Sequence, residues 1–435
     1  MRMRNNFFVE YGTYMLIYLA SYTFALAQYH VLAGCLLLGE AIFLYIHWSR
    51  QAGTLVELRA LFTLAWIGGQ GISCMQLSKI QKDWHYLTWI TFFLIYIGFS
   101  MGYDWGQRER KLERKGLRKN QSQAKKIFIC SQGITILSIL CFFIEMEKVG
   151  FVPIITNSSF SYSAFYVSGV HYGTFCCVLV PALSVLYIEL LTSISWRRII
   201  ILLPSNVISI IIPYICGSRF QLLFAVGFAA VIYMIINKKI QIKRMAVLFG
   251  LLIVVYVLLT LSRNYDYEYL NGIFEMKQEH IPVILSQTYI YIANNYDNFN
   301  SLIEQLGDFT WGLRMLYPFF ALSGMSLVFP QLTAFPIFQT KHELTTLTMF
   351  YDAYYDFGII GSTLFAVILG ILARLLILRL KENNNPVLYL FYGQIAIYFG
   401  LSFFTTWFSN PTTWAWLILT LIIYGIVGYD KKERK

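Results

Sequence analysis

Charge is what this chain has least of. Only 13% of its residues are Asp, Glu, Lys or Arg, against about 25% in soluble domains. With 57% hydrophobic residues, that argues against a soluble fold. Cysteine is sparse and badly placed for crosslinking. Cys35, Cys74, Cys130, Cys141, Cys176, Cys177 and Cys216 all fall in apolar segments. No CxxC and no His/Cys pairing occurs, so neither a disulfide framework nor a metal site is indicated. They read as membrane-packed thiols, and no metal or cofactor is expected. No internal repeat is visible, which weighs against transporters built on duplicated halves. No small-residue cleavage site follows Arg2 and Arg4, so the first apolar run reads as a retained helix.

What is present is a series of apolar, helix-length segments. Spanning a bilayer takes roughly 20 apolar residues, and such segments lie near 9–27, 31–48, 60–77, 86–103, 127–144, 169–190, 199–216, 220–236, 245–261, 355–376, 387–406 and 412–428. The expectation is an all-α polytopic membrane protein of about twelve spans, forming one transmembrane domain over 1–435. The formal charge of +11 invites nucleic acid as a partner, but its placement does not. Basic residues cluster in short connectors, the pattern of cytoplasmic loops. The cytoplasmic set includes Arg2, Arg4, Arg50, Arg59, the run Arg108–Lys126 and Lys431–Lys435. Only Lys79, Lys82, Lys148, Arg219, Arg263, Lys277, Arg314 and Lys341 of the 34 Lys and Arg fall on the other side. Both termini are therefore expected in the cytoplasm, with membrane lipid as a contact of the basic loops.

The segment 262–344 interrupts this pattern. Compact folds seldom carry connections longer than about 15 residues unless these are functional or disordered, and this one is too aromatic for disorder. The topology makes it one large external loop. Within it Tyr289, Ile292, Tyr296, Phe299, Ile303 and Leu306 recur at helical spacing, while Asn294, Asn295, Asp297, Asn298 and Glu304 fall largely elsewhere. Such a helix suits the membrane interface or a cap over the bundle. Pro318, Pro330 and Pro336 divide the remainder of the loop into short pieces.

Candidate chemistry gathers on this external side. Gly217-Ser218-Arg219 forms a very tight turn between two spans, and a guanidinium there suits phosphate oxygens; an interfacial anchor is the other reading. Arg263 opens the loop at headgroup level, and Arg314 follows Trp311-Gly312. His342-Glu343 is a candidate general base if burial tunes it. Asp352 and Asp356 share one face of the entering helix; acidic residues at a helix start also complement its dipole. Tyr289, Tyr296 and Trp311, amphipathic rings, suit either a sugar face or the headgroup layer. Glu40 and Glu189 lie within spans, and His171 sits at the outer end of another, where it can join the external site or cap.

The Gly-Ser-Arg turn, the long late external loop, the run YDAYYDFGIIG from Tyr351 to Gly361 and the final Phe408-Ser409-Asn410-Pro411 hairpin together resemble Wzy-type repeat-unit polymerases of O-antigen and capsule synthesis. The resemblance implies a GT-C-like glycosyltransferase of the bacterial cytoplasmic membrane. It joins undecaprenyl-diphosphate-linked oligosaccharides at the outer face, and a chain-length regulator is an implied partner. The arginine-to-glycine spacing of some members is not met: Gly324 follows Arg314 one residue short, and Arg219 has no match. On this reading Arg219, Arg263 and Arg314 stabilise the leaving diphosphate. His342, Glu343, Asp352 and Asp356 activate the acceptor hydroxyl, and Tyr289, Tyr296 and Trp311 wall the sugar groove. A lipid-linked oligosaccharide flippase and a polymer ligase are the rival readings.

Overall fold

The computed structural model describes residues 8–105, 117–156, 164–193, 195–237, 250, 267–278 and 281–428. Among these residues all regular elements are helical, apart from an isolated bridge between Ser78 and Met276. The longer helices, in chain order, are α1 (Thr13–Leu26), α2 (His30–Ala52), α3 (Leu58–Cys74), α4 (Tyr86–Asp104), α5 (Gln121–Val149), α6 (Val170–Leu190), α7 (Trp196–Ile215), α8 (Arg219–Ile236), α9 (Tyr267–Phe274), α10 (Val283–Gln305), α11 (Tyr351–Glu382), α12 (Leu388–Gly400) and α13 (Pro411–Gly428).

Eight of these, α2, α4 to α8, α11 and α13, are long and apolar enough to cross a membrane, so the chain is a membrane-embedded, all-helical protein. Each coincides with an expected span. Three further expected spans are the shorter helices α1, α3 and α12, of 14, 17 and 13 residues. At 1.5 Å per residue they reach about 20–26 Å, less than the roughly 30 Å hydrocarbon core. The expected span at 245–261, apart from residue 250, lies outside the described residues, as do Arg2, Arg4, Arg263, Lys431–Lys435 and residues 108–116 of the basic run.

Contacts group the chain into two compact units. The first comprises Met1–Glu109, Asp266–Leu375 and Tyr398–Asn410; the second comprises Arg110–Tyr265, Leu376–Ile397 and Pro411–Lys435.

In the first unit small residues let backbones meet, the usual device where lipid supplies no hydrophobic drive between helices. A Cβ on Gly71 of α3 would lie 2.8 Å from the Gly34 carbonyl of α2. A Cβ on Gly102 of α4 would run into the backbone of Val367 in α11, and one on Gly370 into that of Phe99. Between these crossings lies an aromatic core. The Trp66 ring stands 4.9 Å from Phe350 and 5.5 Å from Tyr296, and Phe62 is 4.0 Å from Phe99. Arg59, expected from sequence among the cytoplasmic loop charges, is instead buried. It pairs with Glu10, donates from Nη1 to Asp104 Oδ1 at 2.9 Å, and lies 4.0 Å over the Trp48 ring. Burying such a charge is tolerable only with its partners in place, so the turn Phe8–Gly12 is tied to α3 and α4.

The stretch 262–344 is more helix than loop. Besides α9 and α10 it holds short turns at Tyr317–Leu322 and Met325–Val328. The helix anticipated at the interface or as a cap is α10; its first turns expose Ile284, Leu285 and Thr288, but its middle is enclosed. Residues 293 to 302 are buried on all sides, the asparagines included.

In the second unit α5, α6, α8 and α13 pack around Phe224, Phe228 and Trp416, with ring centroids 5.7–5.8 Å apart. Several polar groups inside are paired. Trp416 Nε1 donates to the Phe175 carbonyl at 3.2 Å, Gln394 Nε2 to Thr420 at 2.6 Å, and Asn237 Nδ2 to Glu189 at 2.9 Å. Glu189 is thus a partner in a structural hydrogen bond. In the first unit Glu40 accepts one from Thr13 at 2.7 Å.

The Gly102 crossing makes a direct prediction. Gly102→Leu overpacks α4 against α11 and costs about 1–3 kcal/mol, so the detergent-solubilised protein should melt several degrees lower. Gly133→Leu, at a position with no atom within 4 Å, should leave the midpoint unchanged. Equal midpoints for both variants would contradict the crossing.

Candidate functional site

Helix α10 explains how the first unit orders its non-helical segments. Its amides act as staples. Asn298 donates to the carbonyls of Leu344 (2.8 Å) and Thr346 (2.9 Å) and accepts from the Thr340 amide at 2.8 Å. Asn294 accepts from Thr340 Oγ1 at 2.5 Å. On the opposite flank Asn300 accepts from the His85 amide (2.8 Å) and Thr88 Oγ1 (2.6 Å). Asp297 accepts from Trp84 Nε1 (2.9 Å), Gln81 Nε2 (2.8 Å) and Ser73 Oγ (3.4 Å). Burial pushes the Asp297 carboxyl up to about 7, against the pull of these donors. Among the tyrosines expected to wall a sugar groove, Tyr296 is fully buried and donates to the Trp66 carbonyl at 3.0 Å. Tyr289 donates to Gln81 at 2.6 Å and accepts from the Leu77 amide at 2.9 Å. Tyr296 therefore forms no groove wall, while Tyr289 is half-buried with its hydroxyl bonded within the unit. Trp311 differs: it is 74% exposed and flanked by Phe309 and Phe357.

The segment 309–316 docks on the start of α11, and the sequence allows this through one glycine. Gly358 has φ 63° and ψ −149°, a break inside α11 that only glycine adopts freely. A Cβ there would meet the Phe309 ring at 2.9 Å. The break interrupts the helical ladder just where carbonyls are needed. Tyr355 O accepts from the Thr310 amide at 3.3 Å, and Asp356 O accepts from the Trp311 amide at 3.2 Å. The Asp356 carboxylate completes the joint. It takes the Thr310 hydroxyl and the backbone amides of Arg314 (3.1 Å) and Met315 (2.8 Å). Asp356 is fully buried in this role, a cap for the 310–316 turn, and is not a free base.

This joint sets the Arg314 guanidinium. Its Nε donates to Asp352 Oδ1 at 2.6 Å. The group lies 4.7 Å over the Tyr355 ring and 5.8 Å from that of Tyr351. Burial opposes the charge, but Asp352, Tyr351 and Tyr355 together outweigh it and raise the guanidinium pKa. The side chain is 13% exposed. Its terminal nitrogens have no hydrogen-bond partner among the described residues, which leaves a flat, oriented fork suited to two oxygens of an oxyanion.

His342 and Glu343, by contrast, are exposed. His342 Nδ1 meets only Gln339 Nε2, at 3.4 Å. The burial that the base reading required is not there.

The second unit holds a cluster that sequence reasoning left unassembled. The tight turn is as expected: α7 ends at Ile215, Gly217 has φ 71°, and α8 starts at the buried Arg219. Helix α8 packs on the 3-10 turn Phe175–Leu179 in the middle of α6. At this end Glu145 of α5 is fully buried. It accepts from His171 Nδ1 (2.9 Å), Thr174 Oγ1 (2.7 Å) and the Val167 amide (3.3 Å). Glu145 and His171 are separated by 26 positions on different helices, so no spacing rule joins them. A carboxylate at the last turn of an apolar helix was the one available signal.

Asp297 yields a pH prediction with a definite sign. Its carboxyl is raised from an ordinary 3.8 to about 7 in the fold, so the folded state favours the protonated form. The associated stability is full below pH 4 and is lost as pH rises through about 7. The thermal midpoint should fall between pH 5 and pH 8, and Asp297→Asn should flatten that slope. An identical slope in the variant would assign the effect to another group.

Compared with known proteins, the chain matches no family model, no curated protein and no solved structure.

Proposed function

We propose that the chain is a membrane glycosyltransferase that joins lipid-diphosphate-linked oligosaccharide repeat units, the activity that the resemblance to Wzy-type polymerases implies. The Arg314 cradle carries this reading. A sugar leaving a lipid diphosphate builds negative charge on phosphate oxygens as the anomeric C–O bond breaks. A preorganised cation aimed at that charge is the most effective single aid a protein can offer. Arg314 is fixed at Nε by Asp352 and flanked by Tyr351 and Tyr355, with its terminal nitrogens unpartnered among the described residues. Bidentate contact therefore needs no reorganisation of the side chain.

The same geometry gives Asp352 a positioning role instead of the acceptor-activating one expected of it. Exposed Trp311 lies three residues away and supplies an aromatic face for a sugar. Undecaprenyl diphosphate as the carrier lipid, and the outer face of the cytoplasmic membrane as the place of reaction, belong to this proposal.

Arg314→Ala should lower extension of a lipid-linked repeat unit by about 100- to 1,000-fold, the usual cost of removing one oxyanion donor. Arg314→Lys should recover little, because an ammonium cannot reproduce the fork. The readout is the ladder of polymer lengths made by membranes containing each variant. A full ladder from Arg314→Ala would remove Arg314 from the reaction. Loss of outward-facing single units, with no effect on joining, would favour a flippase.

A further inference from the structure

Two residues of the first unit hold a backbone conformation that suits glycine, yet carry long polar side chains. Gln28 (φ 66°) follows the end of α1, and Gln76 (φ 49°) follows the end of α3. Glycine is the usual residue just past a helix end in this conformation, and any other side chain is strained there. What the glutamines add is their amides. Gln28 Nε2 donates to Asp83 Oδ2 and Gln76 Nε2 to Asp83 Oδ1, each at 3.0 Å. His30 Nε2 donates to Gln28 Oε1 at 3.1 Å and lies 3.4 Å from Asp83 Oδ1, so the neutral ring keeps its lone pair on Nδ1. Burial opposes the Asp83 charge, but the two amides, with His30 and Lys277, outweigh it and hold the carboxyl below its ordinary value. These side chains, with Trp84 and Trp89, line an open cavity of about 70 Å³. One water needs about 10–15 Å³, so the cavity admits the hydroxyl-bearing edge of one sugar ring and no more. The Trp84 indole is fixed by its bond to Asp297 and stands 5.2 Å from that of Trp89. The Lys79 amide donates to the Glu275 carbonyl and the Lys277 amide to that of Leu77. The cavity therefore lies at the end of the first unit that carries the 262–344 segment.

We propose that this cavity binds one neutral sugar ring of the oligosaccharide, which rests on the glycosyl-transfer reading, at a place apart from the Arg314 cradle. A sugar hydroxyl donates and accepts at once, and the cavity offers both kinds of partner. Gln76 Oε1 and His30 Nδ1 accept and have no hydrogen-bond partner among the described residues. Each glutamine also keeps a second N–H to donate. The Asp83 side chain is 61% exposed, so an anionic sugar meets a like charge. An ammonium meets a carboxylate already shared with two amides and close to Lys277. The indoles offer an apolar face for the C–H side of the ring. Phe92, Phe299 and Tyr351 connect Trp84 to the Arg314 guanidinium, at successive separations of 5.3, 5.1, 6.3 and 5.8 Å. No residue belongs to both sites. The sugar held here anchors the oligosaccharide and takes no part in bond breaking.

The test uses the full chain in lipid nanodiscs, free of sugar-headed detergent, with saturation-transfer NMR as the readout. The probes are methyl glycosides of glucose, galactose, mannose, rhamnose, N-acetylglucosamine and N-acetylgalactosamine, with methyl glucuronate as an anionic counterpart. At least one neutral glycoside should bind wild type. Gln28→Gly and Gln76→Gly should each weaken that binding about tenfold, the loss of a hydrogen bond or two. Their thermal midpoints should hold, because relief of the left-handed backbone offsets the lost contact to Asp83. Asp83→Asn should bind methyl glucuronate more tightly than wild type does, an effect that a purely structural clip does not produce. In membranes supplied with lipid-linked repeat units, Gln76→Gly should raise KM at least about tenfold and lower kcat far less. No neutral glycoside on wild type, or equal binding by wild type and both glycine variants, would overturn the proposal. An unchanged KM in Gln76→Gly would overturn it as well. Glycoside binding by a wild type that extends no repeat unit would instead refute the glycosyl-transfer reading and leave the sugar site standing.

Discussion

The buried polar face of α10 is the constraint on which the first unit depends. A core helix carrying Asn294, Asn295, Asp297, Asn298 and Asn300 in its middle turns is costly unless each amide finds a partner. Most of those partners are backbone groups of segments with no regular structure of their own. Leu344 and Thr346 give carbonyls, Thr340 and His85 give amides, and Trp84 and Gln81 close on Asp297. The helix therefore does for these segments what a sheet edge does elsewhere. It satisfies the polar backbone that neither lipid nor a dry core would tolerate. One consequence is order in the segments that lead into α11, where Arg314 is fixed.

The Arg314 site shows how a catalytic-looking motif divides once it is folded. Asp352 and Asp356 sit one turn apart and look equivalent in sequence. The Gly358 break separates their duties. It frees carbonyls for the 310–311 amides and leaves Asp356 inside the joint, saturated by donors, while Asp352 faces the guanidinium. One acidic residue builds the turn and the other orients the charge that the turn presents. The two roles cannot be exchanged without moving the loop.

The second unit reaches a comparable arrangement by other means. No loop helix is needed there, because α5 and α6 bring Glu145 and His171 together directly. Helix α6 tightens into a 3-10 turn at Phe175–Leu179, and the His171 ring packs on Phe175 beside that turn. In both units the charged side chains Arg59, Arg314, Glu10 and Glu145, buried or nearly so, are matched to partners. That is the condition for placing them in an apolar protein at all.

Length and hydrophobicity are local properties, and they sufficed to locate α2, α4 to α8, α11 and α13, since a span must satisfy its own backbone wherever it lies. The Gly217 turn was equally legible, because only a glycine passes between two helices so tightly. The periodicity of α10 was also legible, but the burial of its middle was not: an amphipathic pattern says which face is apolar, and over residues 293–302 both faces are covered. Arg59 read as a loop charge for the same reason, since its partners Glu10 and Asp104 are distant in sequence. Only the tertiary structure decided that Tyr296 is a core residue, that Asp356 is a cap, that Arg314 meets Asp352, and that Glu145 meets His171. Such pairings depend on which helices lie side by side, and hydrogen bonds between distant residues leave no period in the chain to be read.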